Sequence, residues 1–243
     1  MKNPAVFAFL LTGIVTSGYA IAQGALQSGS EIKFDFQDET VGAQPKSFVP
    51  IVGNFTIGAE GDNKVLVIDG RNWKQGQTAA GVADRAKTLY GDRYGEFLDN
   101  VKAFAYFPYA VATGVEDFRQ GEITLRFKPI SGRIDQGAGI LFNLKPNGDY
   151  LTVRANALEN NLVLWSFEKG RRSSVKWVRD VPTATKTWHE LKVVIKANAI
   201  EGYLNGKLYL THQLAEPVSG KIGVWSKADS HMYIDDYRVV AGP

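Results

Sequence analysis

Residues 188–213 carry the pattern that most narrows what this chain can fold into. Trp188 opens a run in which apolar and polar side chains alternate to Lys196, and Ala199–Leu204 and Lys207–Gln213 alternate in the same way. Asn205-Gly206 joins the last two runs. An Asn-Gly pair between alternating runs marks a two-residue hairpin turn, because both turn positions need positive φ and these residues tolerate it. Lys221–Ser226 and Met232–Val240 supply two further strand-like segments. A period of two, carried through consecutive segments joined by tight turns, predicts antiparallel sheet and argues against a helical bundle or a parallel α/β layer.

The same reading extends upstream. Glu31–Phe36 places Ile32, Phe34 and Phe36 on one face, and Glu122–Lys128 sets Ile123, Leu125 and Phe127 against Thr124, Arg126 and Lys128. Val65–Ile68, Ala103–Tyr109, Gly137–Leu144, Tyr150–Ala157, Asn161–Glu168 and Ser174–Val178 complete the expected strands. Segments recurring roughly every ten residues belong to an all-β antiparallel sandwich or jelly roll. The interruption is Lys74–Asn100, rich in Ala, Asp, Arg, Lys and Glu, which predicts one or two short helices. It is too short to bury a core of its own. It therefore reads as an insertion, either the lid of a site or a packed excursion closing one end of the sandwich, and the second is the simpler expectation.

The first 22 residues read as a secretory signal peptide. Lys2 gives a positive start, Ala5–Val15 is mostly apolar, and Ala20-Ile21-Ala22 forms a small-x-small cleavage site. The apolar stretch is far short of the roughly 20 residues a spanning helix needs. Residues 23–243 are then one exported sandwich domain, periplasmic or extracellular, with no membrane span. The chain has no cysteine, so neither disulfides nor thiolate chemistry are available. The formal net charge of +3 is dispersed. Its one basic knot, Lys169-Gly170-Arg171-Arg172, reads as a solvated hairpin tip, so nothing predicts a nucleic-acid partner.

The block from Phe127 to Arg172, with its core GAGILFNLKPNGDYLTVRANALENNLVLWSFEKGRR, together with Ser219–Val239, resembles a group of exported bacterial proteins with concanavalin A-like (laminin-G-like) jelly-roll domains. The broad group includes 3-keto-disaccharide hydrolase-type domains. The resemblance covers about Glu122–Val240, with a fainter echo at Phe34–Phe48. It implies the fold, export and a carbohydrate context, but no mechanism. The E-x-D-x-x-E strand that laminarinase-type enzymes on this scaffold use for retaining hydrolysis is absent. So are the Arg-rich and Gln-x-His strands of its lyases, a G-x-S-x-G nucleophile turn, and zinc-type spacing among His189, His212 and His231.

The most chemically loaded strand is Tyr150–Asn156. Its polar face presents Tyr150, Thr152, Arg154 and Asn156, with Glu159 in the next turn. On a jelly roll this row either lines a concave ligand groove or forms a solvated face with cross-strand pairs. If it lines a groove, Tyr150, Arg154, Asn156 and Glu159 would bind sugar hydroxyls and Trp165 would stack on a ring. Trp73 is a second aromatic set in polar sequence, whereas Trp188 and Trp225 read as packing residues. Asp38, Glu39, Asp235 and Asp236 would supply oxygen ligands to a structural calcium if the two ends of the chain lie together. The expected function is non-catalytic binding of a glycan or surface. The alternative is a glycoside hydrolase or lyase of the 3-keto-disaccharide type, with Glu159, His189 or Asp236 as acid or base.

Overall fold

The computed structural model describes residues 26–103 and 105–243, so the expected signal segment lies outside the described residues. Two antiparallel sheets face each other. One contains β3 (Phe55–Glu60), β4 (Asn63–Asp69), β6 (Gly121–Ser131), β11 (His189–Lys196), β12 (Ala199–Leu204), β13 (Lys207–Gln213) and β15 (His231–Ala241), in the order β13-β12-β11-β6-β15-β4-β3, with β1 (Glu31–Phe34) also pairing β15. The other contains β2 (Phe48–Val52), β5 (Tyr109–Ala112), β7 (Gly137–Leu144), β8 (Tyr150–Asn156), β9 (Asn161–Glu168), β10 (Arg171–Arg179) and β14 (Lys221–Ser226), in the order β10-β9-β8-β7-β14-β5-β2. Two helices, α1 (Val82–Tyr90) and α2 (Tyr94–Ala103), form the insertion. No helix among the described residues is long and apolar enough to cross a membrane.

The expected alternation places the core. Ile123, Leu125 and Phe127 of β6, Leu191, Val193 and Ile195 of β11, and Leu151, Val153 and Ala155 of β8 all meet between the sheets. Strands buried on one face and wet on the other read as HPHP, and β6 does so in the structure. The Asn205-Gly206 turn adopts φ of 51° and 76°, as the hairpin signature requires. Lys169-Gly170, the basic tip, repeats that geometry with φ of 49° and 72°.

Three features depart from the sequence reading. Ala103–Tyr109 is not a strand; α2 ends at Ala103, and the ladder begins only at Tyr109. The aromatics that suggested sheet, Tyr106 and Phe107, pack on the outside of the seven-stranded sheet instead of alternating within it. β2 carries little alternation, and neither it nor β3, in which Phe55 and Ile57 alternate with Thr56 and Gly58, is among the expected strands. β2 is an edge strand, and it accommodates Pro50 at a register shift between Pro50 and Val52. In β15, a second irregularity falls between Asp235 and Arg238, where Asp236 takes φ of 47°. There the strand exchanges β4 for β1 as its neighbour.

The insertion closes a second core. α1 ends at Gly91, whose φ of 54° lets the chain leave the helix, and a three-residue 3-10 turn leads into α2. Ala86, Phe97 and Val101 then press on the outer face of the seven-stranded sheet, the face turned away from the inter-sheet core. Beneath them lie Tyr109, Leu141, Tyr150, Val163, Phe167 and Trp225. Phe97 and Val101 are spaced i, i+4, so one helix face supplies both.

Candidate functional site

Pairing register lays out the outer face row by row, because directly opposed residues share a face. One row is Tyr150 of β8, Phe167 of β9 and Arg172 of β10; the next is Thr152, Trp165 and Ser174; the third is Arg154, Val163 and Trp177; the last is Asn156, Asn161 and Arg179. The insertion covers the first row. Tyr150 is 1% exposed and stacks on Phe167 at 4.3 Å. Its hydroxyl accepts a hydrogen bond from Trp225 Nε1 at 3.3 Å, and burial drives its pKa far above the ordinary phenol range. Phe107 stacks on Trp225 at 5.6 Å and closes the centre of the sheet. An open groove with Tyr150 as a ligand group is therefore excluded by the packing of the insertion.

Arg154 and Asn156 also lie beneath the surface, 1% and 0% exposed. Gly137 and Gly139 of β7 make room for the Arg154 stem; a Cβ on Gly139 would stand 2.9 Å from Arg154 Cβ and 2.8 Å from Thr152 Oγ1. The guanidinium donates to Asn161 Oδ1 and, at 2.7 Å, to Glu159 Oε2. Asn161 Nδ2 donates to the same carboxylate oxygen at 2.8 Å. Asn156 Nδ2 donates to Asp135 Oδ1 at 2.6 Å, and Lys227 pairs with Asp135 Oδ2 at 2.7 Å. These bonds consume the polar groups that the sequence assigned to a ligand. A buried charge must be paired, and both Nη groups of Arg154 are spent inside the protein, while its buried Nε has no hydrogen-bond partner among the described residues.

What this network presents outward is Glu159. Its side chain is 37% exposed. Partial burial works against its charge, but the hydrogen bonds from Arg154 and Asn161 outweigh that and hold its pKa below the usual carboxylate value. It is a fixed anion with an acceptor face toward solvent.

Beside it, β10 is the outermost strand of the sheet. Trp177 is 42% exposed, with the Arg154 guanidinium 5.9 Å from its ring centre. Trp165 stands edge-on to Trp177 at 5.5 Å and is 9% exposed. The Arg172 guanidinium lies over Trp165 at 4.5 Å and over Phe107 at 5.0 Å. The edge thus offers an exposed indole, an Arg held over a second indole, and an immobilised carboxylate. The sequence reading named Glu159 and Trp165 and missed Trp177 and Arg172. The available signal was a tryptophan in a strand that, apart from Val175 and Val178, is polar throughout, with Arg171, Arg172, Ser173, Ser174 and Lys176 leading up to it. A strand of that kind is a wet edge, and a large aromatic on it is solvent-facing.

The remaining expectations resolve into structural roles. The four acids expected to bind calcium are not gathered into one group. Glu39 accepts from Lys46 N at 2.6 Å, Ser47 N at 3.1 Å and Ser47 Oγ, so it organises its own loop, while Asp38 is exposed. Asp235 accepts from Asn63 at 2.9 Å, and Asp236 pairs with Lys33 at 3.0 Å and Arg126 at 3.4 Å. Among the described residues, no three His, Cys, Asp or Glu side chains are placed to hold a metal ion. His189 is 5% exposed and held at both nitrogens, by Ala184 O at 2.8 Å and Asn205 Nδ2 at 3.1 Å. Trp225 is core, and Trp188 donates to Glu60 at 2.9 Å beneath Arg126, as packing tryptophans do.

No protein-family model matches the chain, and no curated protein matches it in sequence. Solved structures do match in fold. A Bacillus subtilis protein of unknown function with a galectin-like fold aligns with a TM-score of 0.55 at 14% identity, over 88% of this chain and 97% of its own. The carbohydrate-binding module CBM66 from Bacillus subtilis aligns with 0.53 at 11% identity, over 78% and 96%. A Bacillus licheniformis β-glucanase aligns with 0.52 at 11% identity, over 88% and 99%. The fold is the concanavalin A-like jelly roll that the sequence resemblance implied, and it is shared with a galectin-like structure.

Proposed function

We propose that this protein binds carbohydrate non-catalytically, outside the cytoplasm, through the edge formed by Trp177, Trp165, Arg172 and Glu159. The observation that carries the reading is the exposed Trp177 beside a carboxylate that Arg154 and Asn161 lock in position. An indole face suits the C–H side of a sugar ring, and a fixed acceptor with a nearby guanidinium suits its hydroxyls. Two of the similar structures are by name a carbohydrate-binding module and a β-glucanase, which supports a carbohydrate context for the same fold. The export segment read in residues 1–22 supports the location.

Binding is favoured over hydrolysis on the chemistry of Glu159. A glycosidase acid must hold its proton near neutral pH, and this carboxyl is held in the opposite direction. His189 and Asp236, the other acid or base candidates named from the sequence, are held by protein partners, His189 internally and Asp236 by Lys33 and Arg126 at the surface. A glycan array probed with residues 23–243 tests the proposal. Binding to a defined set of oligosaccharides, lost in Trp177→Ala, is the expected result; no binding by the unmutated protein overturns it.

A further inference from the structure

The two sheets both end in an edge strand at the β2–β3 corner, and the chain does not leave that corner open. Residues 72–80 arch over it, joined to β2 by a bridge between Val52 and Thr78 and by Ala79 N donating to Ile51 O at 2.9 Å. The arch borders a half-open cavity of about 320 Å³. That is the lower end of the range in which small ligands are held.

The cavity's lining is unusual for structural filler. Asn54, Asn72, Gln77 and Thr78 contribute neutral polar side chains, and Trp73 contributes an aromatic wall. Trp73 is fixed by Nε1 donating to Gln77 O at 2.8 Å. The charged residues on the wall are already engaged. Asp69 takes two bonds from Arg71, at 2.8 and 2.6 Å, and Arg85 donates to Pro50 O at 2.7 Å and Gln44 Oε1 at 2.6 Å. The uncommitted capacity is therefore amide and hydroxyl, groups that both donate and accept, with the remaining Arg85 donors beside them. The wall carries Asp69 and Arg85 together and so favours neither sign of ligand, and an apolar ligand would strand the amides. A ligand of vicinal hydroxyls on a small ring satisfies both the pairing and the aromatic wall.

We infer that this cavity is a second carbohydrate site, taking a single neutral sugar unit against Trp73. It goes beyond the β10 edge, yet the two are linked. Trp73 touches Tyr106 at 6.0 Å, Tyr106 touches Phe107 at 5.1 Å, and Phe107 lies under the Arg172 that covers Trp165. A series of ring contacts, bridged at its end by the Arg172 guanidinium, thus runs from one site to the other.

The chain has five tryptophans, so 5-fluorotryptophan labelling gives five ¹⁹F resonances, assignable by single Trp→Phe variants. Residues 23–243 are titrated separately with D-glucose, D-galactose, D-mannose and D-fructose. The Trp73 resonance should shift with at least one hexose. Asn72→Ala should weaken that response about fivefold or more, the factor expected for one lost hydrogen bond, and Trp177→Ala should leave it intact. A Trp73 resonance that no hexose moves overturns the inference, as does a shift that Asn72→Ala leaves unchanged. If Trp177 alone responds, the second site falls and the β10 edge stands; if Trp73 alone responds, the second site stands and the edge reading loses support.

Discussion

Arg154 tests the distinction between a residue that touches ligand and one that builds the surface a ligand touches. Removing its partner by Glu159→Ala leaves a guanidinium that is 1% exposed with only Asn161 to receive it. Breaking a fully buried pair costs about 3–5 kcal/mol. Glu159 is more than a third exposed, so water can replace its carboxylate, and the Asn161 bond survives; the cost falls to about 2 kcal/mol, near that of one charge-assisted hydrogen bond. For a chain of this size that lowers Tm by about 4–8 °C. Arg154→Met removes the stranded charge and keeps the stem packed over Gly137 and Gly139, so combining it with Glu159→Ala should restore part of the loss, with a coupling of about 1–2 kcal/mol. Urea unfolding of the wild type, both single variants and the double variant measures every term. If Glu159→Ala unfolds within about 0.5 kcal/mol of the wild type, the pair does not organise this end of the sheet and the scaffold argument fails.

The same carboxylate sets a pH dependence. Its folded pKa lies below the unfolded value of about 4.3, so its contribution is complete above that value and is lost as pH falls through the folded pKa. The stability gap between wild type and Glu159→Gln should therefore narrow below about pH 4; a gap that stays constant to pH 3 contradicts the pairing. Phe97, fully buried between α2 and the sheet, should cost about 3–5 kcal/mol as Phe97→Ala, with Trp225 emission shifting to the red as the cover loosens. A Phe97→Ala protein with unchanged stability and emission would mean that the insertion does not seal the outer face.

Much of the fold is written locally. Alternation in β6, β8 and β11 and the Asn205-Gly206 turn are decided by residues a few positions apart, and the structure follows them. β2 is not legible because an edge strand carrying Pro50 has little alternation to show; Phe55, Ile57 and Ala59 of β3 do alternate, but over a short run broken by Gly58. The site was legible in part. Period two separates Tyr150, Thr152, Arg154 and Asn156 from the inter-sheet core, and the structure agrees on that face. It does not reveal that a distant segment, Ala86 to Phe107, will cover it. Burial of a sheet's second face depends on a contact some fifty residues away, which no local pattern encodes. The polar letters of β8 are the same for a ligand groove and for an internal network. What separates them is whether Glu159, Asn161 and Asp135 arrive to satisfy the groups from within.

Ligand is expected to meet the protein at β10 and not at β8. Calorimetric titration of the best array oligosaccharide into the wild type, Trp177→Ala and Tyr150→Phe tests it most directly. Loss of the exposed indole should weaken Kd about tenfold or more, a change of about 1.4 kcal/mol, while Tyr150→Phe, altered only beneath the insertion, should bind as the wild type does. Unchanged affinity in Trp177→Ala together with a loss in Tyr150→Phe would contradict it and move the site under the helices.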